Sequence, residues 1–231
     1  MTGRGATLLT RLGLGALAMH TLPAATSLPA LREHFCPSLA GKGAPGHVAL
    51  TFDDGPHPES TPRFLHALAQ REVRATFFVL GRELDRYPLL GRDIVEAGHE
   101  IAVHGWEHRC LLWRTPTATH RELAETKKLI TFVTGVVPRW YRPPYGVLTW
   151  PAMVAAWQLD LFPVLWTCWG RDWTGRATPH SVFGTVTRAL RGGGTVLLHD
   201  SDVEAASNSW RSTLGTLPML LDECCRLGLA V

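Results

Sequence analysis

Two adjacent carboxylates, Asp53 and Asp54, stand where the apolar run at residues 47–50 ends and Gly55 and Pro56 break a strand into a turn. Neighbouring anions at a strand end repel each other. They are tolerated where a cation binds one of them, or where one shifts its pKa and does proton chemistry. Further along, His104-Gly-Trp-Glu-His108 offers two imidazoles four positions apart, a spacing that turns both the same way on a helix or tight turn. A carboxylate with two imidazoles is a donor set for a metal ion, and the neighbouring carboxylate is a candidate base.

The elements that must position these groups alternate. Residues 48–52, 75–80, 100–103, 139–141, 161–167 and 195–198 read as strands, with a short final strand at 229–231. Between them lie helical stretches. One is capped by Ser60 or Thr61 with Pro62 in its first turn, one runs over 89–97, one opens on a capping box at Thr119-His-Arg-Glu122, and others start near Thr149 and Thr178. Short continuous apolar strands separated by helices suit a parallel sheet covered by helices. Asp53, Asp54, His104, His108, Arg142, Asp172 and His199 all fall just after a strand. In a β/α barrel such positions converge on one face, whereas an open doubly wound sheet spreads them out.

The chain of 231 residues is long enough for one full barrel, and 45% hydrophobic against 19% charged residues describes a globular protein. A net charge of +3 with no basic run excludes a nucleic-acid groove. Nine Trp suit a sugar-binding cleft as well as a core. Cys36, Cys110, Cys168, Cys224 and Cys225 have no paired spacing, so no disulfide framework is implied. Arg4 and Arg11 before an apolar stretch at 12–19, followed by small residues near Ala24 and Ala25, have the outline of an export signal, and the stretch is too short to span a bilayer. The expected division is an N-terminal segment over 1–45, a candidate signal region, and a catalytic domain over 46–231.

TFDDGP at 51–56, HGWEH at 104–108, RPPYG at 142–146, RDW at 171–173 and LLHD at 197–200, in this order, resemble the five motifs of the polysaccharide deacetylase family, the carbohydrate esterases with a NodB-homology domain. The resemblance implies an α/β fold, a distorted (β/α) barrel of seven or eight units, and a metal-dependent hydrolase that removes N-acetyl groups from a glycan of N-acetylglucosamine type, chitin-like or peptidoglycan. Carried over residue by residue, it makes Asp54, His104 and His108 the ligands of a divalent metal, zinc by default with cobalt or nickel able to replace it. It makes Asp53 the base, held by a charge-assisted pair with Arg142. The backbone N–H of Tyr145 becomes an oxyanion donor. His199 becomes the general acid, tuned by Asp172, and Trp173 and Leu197 become walls of an acetyl slot. The expected location is the cell envelope or outside the cell, otherwise the cytoplasm. The chain departs from the family pattern at Gly105, where a hydroxyl residue usually braces the loop, and at Arg109, where Pro is common.

Three other readings remain at this stage. The same barrel cleaves other C–N or C–O bonds. A non-haem iron oxygenase also uses two His and a carboxylate, but leaves Asp53, His199 and Asp172 without a role. A non-catalytic carbohydrate-binding relative needs no acid–base set.

Overall fold

Period-two alternation decides which side chains enter the barrel and which meet the helices. On strand β1 (Ala49–Asp53), Leu50 and Phe52 belong to the main core against the helices, while Thr51 and Asp53 turn inward. The same phase holds on β3 (Glu100–Gly105), where Ile101 and Val103 pack outward and Ala102 and His104 inward. On β7 (Thr195–His199), Val196 and Leu198 pack outward, and Leu197 and His199 line the inner cavity. A small second core of Phe78, Ala102 and Val164 fills the barrel itself. Outside, Phe52 sits 5.1 Å from both Phe64 and Phe77, and burying rings of this size contributes roughly 2–3 kcal/mol each.

The computed structural model describes residue 15 and residues 17–231. The remaining strands are β2 (Thr76–Leu80), β4 (Trp140–Tyr141), β5 (Phe162–Pro163) and β6 (Cys168–Trp169). All seven pair in parallel in the order β5-β4-β3-β2-β1-β7-β6. The sheet curls into a half-barrel with helices outside, the distorted β/α architecture expected from the motifs. The helices are α1 (Pro29–Phe35), α2 (Thr61–Ala69), α3 (Gly81–Arg86), α4 (Pro88–Glu96), α5 (Pro116–Thr134), α6 (Trp150–Gln158), α7 (Pro179–Thr187) and α8 (Trp210–Arg226). No helix among the described residues is long and apolar enough to cross a membrane.

Local details differ from the sequence reading for identifiable reasons. The capping box at Thr119 does not form. Helix α5 starts four residues earlier, with Pro116 in its first turn and Thr115 Oγ1 accepting from the Ala118 N–H at 3.2 Å. Glu122 pairs with Arg114 instead of reaching back to the backbone. Of the expected strand over 161–167 only Phe162–Pro163 (β5) forms, β6 lies just beyond it at Cys168–Trp169, and 229–231 contributes only a bridge between His47 and Ala230. The helix expected over 89–97 is α4, and α3 precedes it, stopping at Tyr87 before Pro88. His104 and His108 do not share a helix; the first is on β3 and the second in the loop after it.

Strands β5 and β6 do not pair with each other, so the barrel has a seam. Residues from the N-terminal segment cross it. Leu39 C=O accepts from the Leu165 N–H at 2.8 Å. Arg32 on α1, 2% exposed, donates from Nη2 to Trp166 C=O at 2.7 Å and from Nη1 to Thr26 and Ser27 C=O at 2.9 and 3.2 Å. The candidate signal stretch at 12–19 lies partly outside the described residues, and Ala24 and Ala25 fall in a short 3-10 turn, Leu22–Ser27. Substituting Arg32→Ala removes the donor from three carbonyls, that of Trp166 at the seam and those of Thr26 and Ser27 in the strap. We expect a loss of about 3 kcal/mol and a fall in Tm of roughly 6–12 °C, measured by thermal unfolding. An unchanged Tm would mean that the strap does not brace the seam.

Candidate active site

Register brings the chemistry to one level. Asp53 ends β1 directly opposite His199 on β7, and Val103, one residue before His104, pairs with Tyr141, one residue before Arg142. At the end of β1 the chain turns sharply. Asp54 takes a left-handed conformation with φ 74°, and Gly55 C=O accepts from the Leu80 N–H at 2.9 Å. Gly55 is needed because a Cβ there would lie 2.6 Å from both carboxylate oxygens of Asp200. Asp200 is buried behind the turn, accepts from Thr61 Oγ1 at 2.5 Å, and is pushed up to about 7, chiefly by burial.

The two adjacent carboxylates have different partners. Asp53 Oδ1 accepts from Arg142 Nη1 at 2.7 Å. That guanidinium is fully buried, lies 4.0 Å over the Phe78 ring, and also donates to Thr51 Oγ1, Leu165 C=O and Val164 C=O. Each of its three nitrogens has an acceptor on the barrel wall, so it is fixed relative to Asp53. Asp54 faces imidazoles. Its Oδ1 lies 3.2 Å from His104 Nε2 and 3.6 Å from His108 Nε2, and its Oδ2 lies 3.8 Å from His199 Nε2. Burial opposes the charge on Asp54, but His104, His199 and His108 outweigh it and hold the carboxyl well below the usual range.

The donor chemistry fits a cation. Asp54, His104 and His108 offer ligand atoms all within 4.8 Å of one another. His104 Nδ1 lies 2.8 Å from Arg142 C=O, an acceptor, so Nδ1 carries the hydrogen and Nε2 is left facing Asp54. A neutral imidazole would then set a lone pair against a carboxylate oxygen that has no hydrogen-bond partner among the described residues. Burial favours neutral His104, yet Asp53 and Asp54 raise its pKa, which places demand for positive charge at this spot. His108 is pushed the other way, down to about 4, by burial and by His104, and so offers a neutral nitrogen.

On the opposite flank, His199 Nδ1 donates to Asp172 Oδ1 at 2.9 Å. Asp172 is itself buried, and its Oδ2 accepts from the His199 backbone N–H at 2.8 Å and from Thr213 Oγ1 at 2.7 Å. Burial disfavours the imidazolium, but Asp172 outweighs it and raises His199 to about 10. These groups surround a cavity of about 220 Å³ that Trp173, Leu197 and Tyr145 also line. Tyr145 has φ 59°, and its ring meets His108 at 4.3 Å. A larger cavity of about 350 Å³ opens between β1, β2 and the N-terminal strap. Arg142 lines it from behind Asp53, but neither Asp53, Asp54 nor His199 does, so the smaller cavity is where the acid and base meet.

The structure thus brings Asp53, Asp54, His104, His108, Tyr145, Trp173, Leu197 and His199 to the wall of one cavity, with Arg142 and Asp172 behind it, bonded to Asp53 and His199. It also adds groups to which the sequence reading gave no role. Trp166 and Trp169 stack at 6.0 Å, Trp169 lies 5.0 Å from Trp173, and Arg171 of the RDW motif sits 5.3 Å over Trp169. For the two tryptophans, closeness in the chain to that motif was the available signal. Glu204, in the loop after β7, lines the cavity too, and no motif marked it.

The sequence model of the polysaccharide deacetylase family matches residues 40–161. The chain is 38% identical over 154 residues to the chitooligosaccharide deacetylase of Bradyrhizobium sp. (strain ANU 289), a match covering 66% of this chain and 70% of that one. Its fold resembles the Bc1960 peptidoglycan N-acetylglucosamine deacetylase with a TM-score of 0.77 at 26% identity, covering 84% of this chain and 89% of that one. It also resembles wild-type BA3943 of Bacillus anthracis, described as a CE4 family pseudoenzyme, with a TM-score of 0.74 at 26% identity and coverage of 82% and 65%.

Replacing Asp172 by Asn removes the anion that holds the proton on His199. The pKa should fall from about 10 toward the ordinary 6.5, because burial is then opposed only by the Asp54 and Asp53 charges. Imidazole NMR titration of the metal-free protein measures this directly. The stability that Asp172 confers through His199 is complete below about pH 6.5 and disappears as pH rises through about 10. The variant should therefore be less stable than the parent at neutral pH, and the deficit should close at alkaline pH.

Proposed function

The chain belongs to the polysaccharide deacetylase family, and from that premise we propose that it hydrolyses N-acetyl groups on a glycan of N-acetylglucosamine type, chitooligosaccharide or peptidoglycan, with a divalent ion held by Asp54, His104 and His108. The observation that carries this reading is the division between the adjacent carboxylates, Asp53 clamped by Arg142 and Asp54 turned toward three imidazoles. Zinc suits two imidazoles and one carboxylate with open positions, and cobalt or nickel suits them as well. When bound, such an ion polarises a carbonyl oxygen and lowers the pKa of water to about 7.

The chain's own groups do the rest. Asp53 Oδ1 is engaged by Arg142, which leaves Oδ2 as the atom that takes a proton from the attacking water. That water adds to the acetamide carbonyl carbon. The Tyr145 backbone N–H then donates to the developing oxyanion, a contribution of about 3–4 kcal/mol for a donor of this kind. The imidazolium of His199, kept charged by Asp172, gives its Nε2 proton to the departing nitrogen as the C–N bond breaks. Acetate and a free amino sugar leave. Trp173 and Leu197 wall the slot for the acetyl methyl, and the stacked Trp166 and Trp169 offer a face to pyranose rings. Likeness to a pseudoenzyme makes fold a weak argument for turnover; the presence of a base and a tuned acid on opposite flanks is the stronger one. A glycan of this type is met at the cell envelope or outside the cell, which is where we place the protein.

Acetate release from chitin oligomers, peptidoglycan and acetylxylan, with bound metal quantified in the same samples, tests the reading and identifies the acyl acceptor. Chelation should abolish release and zinc should restore it. Asp53→Asn should keep the metal and lower turnover by roughly 10²–10⁴-fold. Full activity in that variant would refute the base assignment, and no release from any of these glycans would refute the substrate class.

A further inference from the structure

The loop that carries His108 has nothing of its own to orient the ring. Gly105 occupies the position after His104 with φ 106°, so the segment has no hydroxyl there, and a side-chain-bearing residue would be strained. Glu107 is turned away and pairs with Arg109. His108 Nδ1 is buried and has no hydrogen-bond partner among the described residues. By contrast, the Nδ1 of His104 is fixed on the Arg142 carbonyl. Imidazoles that bind metals almost always donate their second N–H to a carboxylate, carbonyl or water, which sets the tautomer and the ring plane.

Across the cavity mouth, Glu204 Oε2 stands 3.8 Å from His108 Nδ1. This is ion-pair range, beyond a direct hydrogen bond. Glu204 is held from behind by an ion pair with Arg82 on α3, and the Arg82 backbone N–H donates to Trp106 C=O at 3.1 Å, inside the HGWEH segment. The loop that carries Glu204 is pinned to the cavity wall by the Ala206 N–H on Trp173 C=O at 3.0 Å. Glu204 therefore faces the imidazole nitrogen that the motif leaves unserved, held there by contacts with two other segments.

We propose that Glu204, backed by Arg82, is a positioning residue for the metal centre: it accepts the Nδ1–H of His108 and keeps Nε2 free and aimed at the ion, in place of a brace from within the motif. The inference rests on the reading of Asp54, His104 and His108 as metal ligands. Glu204 is not one of the three residues whose ligand atoms cluster, so its effect would be on how tightly zinc is held.

Zinc affinity, measured by competition with a chromophoric chelator on the parent, Glu204→Ala, Glu204→Gln and His108→Ala, tests it. Glu204→Ala should bind zinc about 10–100-fold more weakly than the parent. Glu204→Gln, which keeps an acceptor oxygen but loses the charge, should fall between them, and His108→Ala should lose the most. Unfolding midpoints in excess chelator check the fold of each variant; should Glu204→Ala be impaired there, the near-isosteric Glu204→Gln carries the comparison. Parent-like zinc affinity in both Glu204 variants, with His108→Ala impaired, would overturn the proposal while leaving the metal site intact. So would a raised KM on chitin oligomers at unchanged zinc affinity, which would make Glu204 a glycan contact. If the parent itself retains no zinc, the reading of the ligands fails, and the proposal fails with it.

Discussion

Burying two neighbouring carboxylates is the constraint from which the rest of this structure follows. Asp53 and Asp54 are 3% and 2% exposed, and the desolvation of two anions in one turn costs several kcal/mol each unless every charge finds a partner. The protein resolves this with two unlike partners. A fully buried guanidinium takes one carboxylate, and a cluster of imidazoles takes the other. The asymmetry is chemical as well as structural. Arg142 cannot surrender its proton, so Asp53 keeps a fixed neighbour. Imidazoles exchange a proton for a metal, so the surroundings of Asp54 can adapt to either cation.

The barrel exists around this turn in a specific sense. Arg142 needs Thr51 from β1, the Val164 and Leu165 carbonyls near β5, and the Phe78 ring from β2, so its position is a joint product of three strands. The carbonyls sit beside the unpaired seam, where Leu39 and Arg32 supply the bonds that a neighbouring strand would have supplied. Arg32 also fixes the backbone of Trp166, whose ring lies 5.8 Å from both buried guanidinium carbons. Bracing at the seam and geometry at the site are therefore connected through one tryptophan. Behind the turn, Asp200 fills the space that makes Gly55 obligatory, which accounts for a residue to which the LLHD motif alone assigned no work.

Much of this was legible before any coordinates. The placement of Asp53, His104 and His199 at strand ends follows from apolar runs interrupted by turn residues, because strand termini in a parallel barrel face one way. The inward phase of Asp53 with Thr51, and of His199 with Leu197, follows from the period of two. Local competition was harder to read. Thr119 and Glu122 satisfy a capping pattern, but Pro116 and Thr115 offer a better start and Arg114 draws Glu122 aside. The spacing of His104 and His108 suits a helix, but a glycine with positive φ makes it a strand end and a loop.

Sequence by itself determined the family, the alternation of strands and helices, and the identity of the residues able to hold a metal and move protons, because those depend on residue type, order and short-range period. Tertiary structure alone decided that Asp200 lies under the turn, that a strap from the N-terminal segment closes the seam, and that Glu204 faces His108. Each of these joins residues far apart in the chain, and such pairings are set by how the sheet curls and where its edges fail to meet, which no local pattern encodes.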